Sequence, residues 1–385
     1  MFKRPLEIAL AISADRNLPP AALAQTAQSY KASGVVDIFH IYDQMQGWWP
    51  AHLWNTNNAP LAAFVPDLDS YGDPSAVTGY VAASAPGLGL TISTDGIRRG
   101  PAEVMQTMLT LANMGEGNAI LQIGAGEIKQ TGPYGWKRNE GLRRLEDHFR
   151  FYDAFWNNDG EVDFEGNFWK FDKSWLGKER KHKPRVWSLG GGPKLVDLAT
   201  TYNDGFATSL PNVIATPERY ATFIRNTRQA VEAKGRDPEK FEFCLWVICM
   251  IHEDPEVINR AFDNPLVRWF VATCGRFNQA DWAAHGIEPI MPLDWHYSMK
   301  LIPHRVTDRQ YVDQIIKQVP RRMCELSFVH GNVDEVARQI QPYIDAGATC
   351  LDINDMMPLV LDPAGAQASV GRQLQLCAKI KEKNR

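Results

Sequence analysis

Cysteine is scarce in this chain and is placed where it builds no framework. Six cysteines occur among 385 residues, all between Cys244 and Cys377, and none forms a Cys-x-x-Cys pair. The nine histidines are scattered, without metal-ligand spacing. These absences argue against a disulfide scaffold and against a zinc or other metal site. The sequence predicts reduced, mostly buried thiols and a cytoplasmic protein.

Charge of one sign and long apolar runs are also missing. The 41 Lys and Arg residues nearly balance the 45 Asp and Glu residues, and no segment concentrates the basic ones, so a nucleic-acid partner is not expected. The longest later apolar run, Phe243–Ile251, is far shorter than the ~20 residues of a membrane-spanning helix. The early apolar stretch Leu6–Ile12 contains Glu7 and precedes no small-residue cleavage site, which favours a first strand over a signal peptide.

Two common catalytic signatures are absent as well. No G-x-x-x-x-G-K-[ST] sequence occurs, which leaves a P-loop nucleotidase without support. No G-x-S-x-G sequence occurs either, so an α/β hydrolase is equally unsupported.

Short, continuous apolar runs alternate with amphipathic segments along the chain. Continuous runs are typical of parallel strands buried on both faces. The predicted strands are Leu6–Ser13, Val35–Ile41, Leu88–Ser93, Ala119–Ile123, Arg185–Leu189, Gly205–Thr208, Phe241–Ile251 and Cys350–Asn354. The predicted helices are Pro20–Ala32, Pro101–Met114, Gly141–Trp156, Lys194–Thr201, Pro217–Lys234 and Val333–Ala346. Eight strands with intervening helices predict an α/β fold, a single (β/α)₈ TIM barrel over residues 1–385.

Two aromatic-rich segments, 42–87 and 262–310, interrupt this repeat after the second and seventh predicted strands. Barrel enzymes carry substrate-binding loops at the carboxyl ends of their strands. We therefore predict that Trp48, Trp49 and Trp54 line a pocket for a hydrophobic small molecule. The alternative is that these aromatic side chains close secondary cores beneath long loops.

Two glycine-rich turns follow predicted strands. In Gly124-Ala125-Gly126-Glu127 the glycines allow a tight turn, and Glu127 projects at the strand end as a candidate general acid or base. Gly190-Gly191-Gly192-Pro193 precedes a helix, whose N-terminal N–H groups can bind an anion. Each motif, taken alone, is equally compatible with a structural loop.

Polar residues end two further strands. Asp43 and Gln44 follow the second predicted strand and would point into the barrel mouth, although Asp43 could equally cap a turn. The segment Thr91–Pro101 begins in the third predicted strand and leads into a helix that starts at a proline.

The order of these motifs resembles the bacterial luciferase-like superfamily of flavin and deazaflavin oxidoreductases, nearly end to end. Within it the chain looks most like the coenzyme F420-dependent branch that includes phthiodiolone ketoreductase. The marks of the superfamily are Ile41–Asp43, Thr91–Pro101, Gly124–Glu127, Gly190–Pro193, Asp204–Phe206, Gly235–Pro238 and Val329–Val336. The marks of the branch are His285–Glu288, Val319-Pro320 and Glu325–Phe328.

The resemblance implies a deazaflavin ring at the carboxyl mouth of the barrel, backed by a non-prolyl cis peptide at Thr91-Ile92. It implies a ring contact at Asp43 and a proton-transferring acid at Glu127. Gln44 stands where the family commonly has histidine, and because an amide cannot titrate, Glu127 becomes the stronger acid–base candidate. The residues implied to hold the cofactor are Asp43, Thr91, Ile92, Gly124, Gly126, Gly190, Gly191, Gly192, Pro193, Thr208 and Ser209.

These observations predict an F420-dependent oxidoreductase that transfers hydride between the deazaflavin and a carbonyl, alcohol or activated unsaturated carbon. Glu127 and Gln44 form the expected catalytic set. The family also implies a homodimer. Two alternatives stay open: an FMN-dependent monooxygenase with the same fold, and a cofactor-binding protein without catalytic activity.

Overall fold

A computed structural model describes residues 5–384. The strands are Glu7–Ile12 (β1), Ile38–Tyr42 (β2), Gly89–Asp95 (β3), Ala119–Gly124 (β4), Val162–Glu165 (β5), Lys170–Ser174 (β6), Arg185–Leu189 (β7), Gly205–Leu210 (β8), Glu242–Ile251 (β9), Val329–Gly331 (β10) and Cys350–Asp355 (β11). The helices are Pro20–Ser33 (α1), Pro74–Ser84 (α2), Pro101–Met114 (α3), Ile128–Thr131 (α4), Gly141–Trp156 (α5), Pro193–Tyr202 (α6), Pro217–Ala233 (α7), Pro255–Asp263 (α8), Pro265–Cys274 (α9), Tyr297–Lys300 (α10), Arg309–Gln318 (α11), Arg321–Ser327 (α12), Val333–Asp345 (α13) and Pro363–Lys383 (α14).

Eight parallel strands close into a barrel in the order β1, β2, β3, β4, β7, β8, β9, β11, with β11 pairing back to β1. The predicted (β/α)₈ barrel is therefore confirmed, and each of the eight predicted strands overlaps one barrel strand. β10 pairs with the carboxyl end of β9, while β5 and β6 form a separate antiparallel hairpin. The carboxyl ends of all eight barrel strands meet at one mouth.

Alternate residues of the barrel strands fill its interior. A polar layer lies within the interior: His40 Nδ1 lies 2.6 Å from Asp352 Oδ2, and Trp246 Nε1 donates to Gln122 Oε1 at 2.7 Å. The apolar interior cluster consists of Ala9, Ile38, Ile120, Trp187, Ala207, Cys244 and Cys350. Because side chains alternate along a strand, Thr91 points inward while Ile92 packs in the outer core.

The two predicted insertions lie after β2 and after β9, the second and seventh barrel strands, as expected. A second hydrophobic core packs residues of the first insertion against α8, α9, α11 and α12. Trp49 stacks on Phe270 with 6.1 Å between ring centroids, and Asn264 Nδ2 donates to the Asn58 carbonyl at 2.7 Å. These contacts fasten the two insertions to each other above the barrel.

The prediction of a cis peptide bond at Thr91-Ile92 is wrong. Within residues 5–384 the one cis peptide bond is Leu210-Pro211. β3 continues to Asp95, which places Thr91 and Ile92 in the middle of the strand. Both residues pair in unbroken register with β2 and with β4, so the backbone has no bulge at this point.

All six cysteines are free and buried, as the sequence predicted. No helix within residues 5–384 combines the length and apolar character that a membrane span requires. The described residues also contain no cluster of three or more His, Cys, Asp or Glu side chains arranged to hold a metal ion.

Candidate active site

The two predicted catalytic residues are brought together at the barrel mouth by a lysine. Gln44 follows β2 and Glu127 follows β4, while Lys129 lies in the short helix α4. The Nζ atom of Lys129 is 3.0 Å from Glu127 Oε2 and 3.3 Å from Gln44 Oε1. An acid, an amine and an amide therefore form one connected group.

Lys129 is held on all sides. Its Nζ also donates to the Gln46 carbonyl at 2.7 Å and lies 4.0 Å from the centroid of the Trp48 ring. The residue is 1% exposed, and burial lowers the pKa of its ammonium, an effect that the Glu127 carboxylate opposes only in part. A buried ammonium is retained here because acceptors and an aromatic face surround it.

The loop after β2 and helix α4 are joined through Gln130. Its Oε1 accepts from the Met45 N–H at 2.7 Å, and its Nε2 donates to the Gln46 carbonyl at 3.1 Å. These paired bonds fix the two segments that carry the site. They hold the residues that follow β2 within contact distance of those that follow β4.

Asp43 lies beside this group but has its own cationic partner. Arg98 Nη1 donates to Asp43 Oδ1 at 3.1 Å, and Arg98 Nε donates to Asp95 Oδ2 at 2.5 Å. Thr94 Oγ1 adds a 2.6 Å hydrogen bond to Asp43 Oδ2. Burial alone would lower the pKa of Arg98, but the carboxylates of Asp95 and Asp43 outweigh burial and raise it. Direct contact between Asp43 and a cofactor ring stays a prediction.

Packing requires glycine at position 124, and backbone geometry favours it at position 126. A Cβ on Gly124 would lie 2.8 Å from the Leu189 carbonyl oxygen in the adjacent strand. Gly126 has a φ of +86°, which favours glycine, and a Cβ there would crowd the side chains of Ile97 and Asp95. The turn therefore aims Glu127, while a cofactor contact at either glycine stays a prediction.

The turn between β7 and α6 leaves N–H groups without acceptors. No residue in the described part of the chain accepts a hydrogen bond from the N–H of Gly191 or Gly192. A Cβ on Gly191 would lie 2.6 Å from Val213 Cγ1, whereas a Cβ on Gly192 would meet nothing within 4 Å. Pro193 starts α6 and has no N–H of its own. The space above Gly192, at the positive end of α6, fits an anionic group. Gly190, with a φ of +150°, makes the turn.

Thr208 and Ser209 lie on opposite faces of β8. Thr208 follows the inward-facing Ala207 and therefore points toward the helices; it is 2% exposed, and its hydroxyl has no hydrogen-bond partner among the described residues. Ser209 points inward and is half-buried. Of the two, Ser209 has the orientation that a ligand in the mouth requires.

The three predicted wall tryptophans have different surroundings. Trp48 is partly exposed and touches Lys129, so it belongs to the site. Trp49 is 8% exposed, and its indole N–H donates to the Leu266 carbonyl at 2.9 Å. The indole N–H of Trp54 donates to the Val65 carbonyl at 2.6 Å. The packing alternative describes Trp49 and Trp54 better than substrate contact does.

Three cations near the site, Lys129, Arg98 and Arg138, belong to no motif that the sequence offers as a functional site. The Arg138 side chain makes no hydrogen bond or ion pair with any described residue, and its Nε is buried. Burial lowers the pKa of Arg138, opposed by the nearby charges of Glu127 and Asp95. Burial also lowers the pKa of His296, and the charge of Arg138 lowers it further. A sequence pattern does not separate such residues from surface charges.

The residues present fit a cofactor with a phosphate and a flat ring. The unpaired N–H groups of Gly191 and Gly192 suit the phosphate, and the partly exposed edge formed by Gln44, Trp48 and Glu127 borders the barrel mouth where a ring would lie.

Comparison with known proteins defines the class. The family model described as "Luciferase-like monooxygenase" matches residues 48–350, so the chain belongs to the luciferase-like monooxygenase family. A phthiodiolone/phenolphthiodiolone dimycocerosates ketoreductase of Mycobacterium bovis (strain BCG / Pasteur 1173P2) is 27% identical over 337 residues, covering 86% of each chain. An F420-dependent glucose-6-phosphate dehydrogenase of Kineococcus radiotolerans is 25% identical and covers 90% of each chain. The resemblance inferred from the motifs is thereby confirmed.

Solved structures agree on the fold. An F420-dependent secondary alcohol dehydrogenase in complex with an F420-acetone adduct superposes with a TM-score of 0.72 at 18% identity, covering 98% of this chain and 99% of the other. A riboflavin lyase with modified FMN superposes with a TM-score of 0.66 at 14% identity, covering 98% and 92%. The same barrel thus occurs with both kinds of cofactor.

Proposed function

We propose that this protein is a coenzyme F420-dependent oxidoreductase that interconverts a hydrophobic ketone and its alcohol. The carrying observation is the group formed by Glu127, Lys129 and Gln44 at the carboxyl mouth of the barrel. Such a group can exchange a proton with a carbonyl oxygen, which hydride chemistry requires. The relatives named as F420-dependent enzyme and as ketoreductase support the assignment.

Each part of the mouth has a role in this proposal. When bound, the deazaflavin supplies or accepts hydride at its C5 atom. The N–H groups of Gly191 and Gly192 hold the phosphate, with Ser209 as a further donor. Glu127 exchanges the proton with the substrate oxygen, and the amide of Gln44 orients that oxygen by hydrogen bonding. Trp48 gives the substrate an apolar contact.

Cofactor titration tests the assignment directly. Purified apoprotein is titrated with F420 and separately with FMN, and quenching of its 12 tryptophans is followed. We expect F420 to bind at least tenfold more tightly, a difference of ~1.4 kcal/mol. Preferential binding of FMN would overturn the proposal and favour the monooxygenase chemistry that other members of the family perform.

The Glu127→Gln variant tests whether the protein is an enzyme. We expect F420 affinity within about twofold of the wild type and a loss of ketone reduction of roughly 10²–10⁴-fold, the range for a lost general acid. Glu165→Gln, at an exposed ion pair with Lys170, is the matched control and should leave turnover unchanged. Absence of turnover in the wild type despite tight binding would indicate a carrier protein.

A further inference from the structure

Lys129 is the cation that contacts Glu127: in the described part of the chain, no other cationic group lies within 4 Å of that carboxylate. The three acceptors around its Nζ, on Glu127, Gln46 and Gln44, lie at 3.0, 2.7 and 3.3 Å and use its three N–H bonds. Lys129 itself is 1% exposed, whereas the Glu127 side chain is 24% exposed. Gln46 accepts through its backbone carbonyl and Gln44 through an amide, so Glu127 is the contacting group that can pass a proton from Lys129 to a substrate.

Ketone reduction leaves an alkoxide that needs a proton, and Gln44 cannot supply one. We propose that Lys129 is a positioning residue that stores this proton and passes it through Glu127 to the substrate oxygen. The proposal rests on the proposed function, because it assigns the proton source of that same reaction.

The transfer balances in protons and charge. Glu127 starts as a carboxylate: the Lys129 N–H bond breaks as its proton moves to Glu127 Oε2, and that O–H bond breaks in turn as the O–H bond to the substrate oxygen forms. Glu127 ends as a carboxylate and Lys129 as a neutral amine, which regains a proton from water after product leaves. The reduced deazaflavin is the reductant, and alcohol oxidation runs the same steps in reverse.

Several charged or titratable groups face this pair and bear on its pH dependence. Burial disfavours the ammonium form of Lys129 and lowers its pKa, and the nearby carboxylates of Glu127 and Asp69 oppose this only in part. The Cys274 thiol also lies close, but burial raises its pKa to about 12, so it is uncharged near neutral pH. Arg138, His296 and Tyr297 face Glu127 from the loop after α4 and from the second insertion. A lowered pKa makes Lys129 a stronger acid than an exposed lysine, as a proton source near neutral pH requires.

The first test uses the apoprotein and needs no substrate. Lysine ε-carbons are labelled with ¹³C, and the Lys129 signal is assigned by its loss in Lys129→Met and followed through a pH titration by NMR. We expect Lys129 to titrate below the exposed lysines, and to titrate lower still in Glu127→Gln, which removes the opposing charge. Glu165→Gln on the exposed β5–β6 hairpin, whose Glu165 pairs with Lys170, is the matched control and should leave the Lys129 titration unchanged. Titration of Lys129 together with the exposed lysines would overturn the proposal.

The second test distinguishes a role of Lys129 in storing a proton from a role of its positive charge alone. With F420H₂ and a 2-alkanone that the wild type reduces, Lys129→Met should lower kcat about 10²-fold, keep the Kd for F420, and move the alkaline limb of the pH–rate profile to lower pH. Lys129→Arg keeps the positive charge but does not release a proton, so its kcat should also be low. Full activity in Lys129→Arg, or an unmoved limb in Lys129→Met, would overturn the proposal.

Folding and the proposed function are checked separately. Thermal unfolding of each variant establishes that it folds. If Lys129→Met does not fold, Lys129→Gln is used in its place. If the wild type binds no F420, the proposed function fails, while the NMR titration still decides whether the Lys129–Glu127 pair holds an easily released proton. Lys170→Met, which removes an exposed lysine from a comparable pair, should change neither kcat nor the pH profile.

Discussion

Lys129 and Arg98 are buried cations, and each joins acceptors that follow different strands of the barrel. Arg98 spans Asp43 after β2 and Asp95 at the end of β3, and Lys129 spans Gln44 and Glu127. Taking such charges out of water is costly, so each position persists only with its acceptors present. The two cations therefore tie the ends of β2, β3 and β4 into one rim.

The Asp43→Asn substitution tests this rim. It keeps the shape of the side chain but removes one of the two negative charges beside Arg98, which is 6% exposed. We expect a loss of unfolding free energy at the lower end of the roughly 3–5 kcal/mol seen for broken buried pairs, because Asp95 still pairs with Arg98. Urea unfolding measures this loss.

The matched control for this substitution is Glu165→Gln in the exposed ion pair with Lys170. Exposed pairs contribute little, so its unfolding midpoint should coincide with that of the wild type. Equal stability of Asp43→Asn and wild type would show that Arg98 does not depend on Asp43.

Residue identity along the chain predicted part of this site. Glu127 and Gln44 were recognised because each directly follows an apolar strand, and strand ends of a barrel face the mouth. Lys129 and Arg98 were not, because a lysine or arginine in a polar stretch has the same local pattern whether it is buried or solvated. Their burial depends on partners from distant segments, 83 and 55 residues away for Gln46 and Asp43.

At the scale of elements, hydrophobic pattern decided which strands could be predicted. The barrel strands are buried on both faces and read as continuous apolar runs. β5 alternates buried and exposed residues, and β6 is mostly exposed, so neither produced such a run. β3 extends two residues past its predicted end at Ser93, through Thr94 and Asp95, because polar side chains do not continue an apolar run. The placement of Thr91 and Ile92 at a strand end is implied by the family resemblance and not by the apolar pattern, and the unbroken pairing of β3 with β2 and β4 contradicts it.

The start of helix α6 offers a matched pair of substitutions. Gly192→Ala adds a methyl group in open space, so we expect a stability cost of at most ~1 kcal/mol but at least tenfold weaker F420 binding, because the methyl group obstructs the free N–H groups. Gly191→Ala puts its methyl group against Val213 and should cost ~1–3 kcal/mol of stability. Thermal unfolding and F420 titration measure both.

The opposite results would change the roles assigned to Gly191 and Gly192. If Gly192→Ala binds F420 as tightly as the wild type, the N-terminus of α6 does not hold the phosphate, and Gly192 serves only the turn. If Gly191→Ala leaves the melting temperature unchanged, Val213 moves aside and Gly191 is not required by packing.

At the scale of the whole molecule, barrel closure is what turns local patterns into a site. The continuous apolar strands predicted the barrel and hence the mouth, but the second core formed by the two insertions depends on contacts across some 200 residues of chain, such as Asn58 with Asn264. The aromatic composition of both insertions was compatible with a pocket wall and with a core. Packing between the insertions places Trp49 in the second core, and no local sequence pattern could reveal this packing.

Two buried groups in different parts of the fold give stability opposite dependences on pH. Burial lowers the pKa of His148 in α5 to about 4, and burial raises the pKa of Asp355 at the end of β11 to about 7. Below pH 6.5 unfolded His148 binds a proton that the native state excludes, so acidification destabilises the fold. Between pH 3.8 and about 7 native Asp355 holds a proton that the unfolded chain lacks, so rising pH destabilises it.

Two variants separate these effects. Across pH 5–6.5 the stability of wild type minus His148→Gln should rise with pH, and that of wild type minus Asp355→Asn should fall, each by up to ~1.4 kcal/mol per pH unit. Urea unfolding at several pH values gives both slopes. Tyr152→Phe, which removes only the hydroxyl 2.9 Å from His148 Nδ1, should keep the wild-type slope. Parallel slopes for the two differences would contradict the expected pKa direction of at least one of these groups.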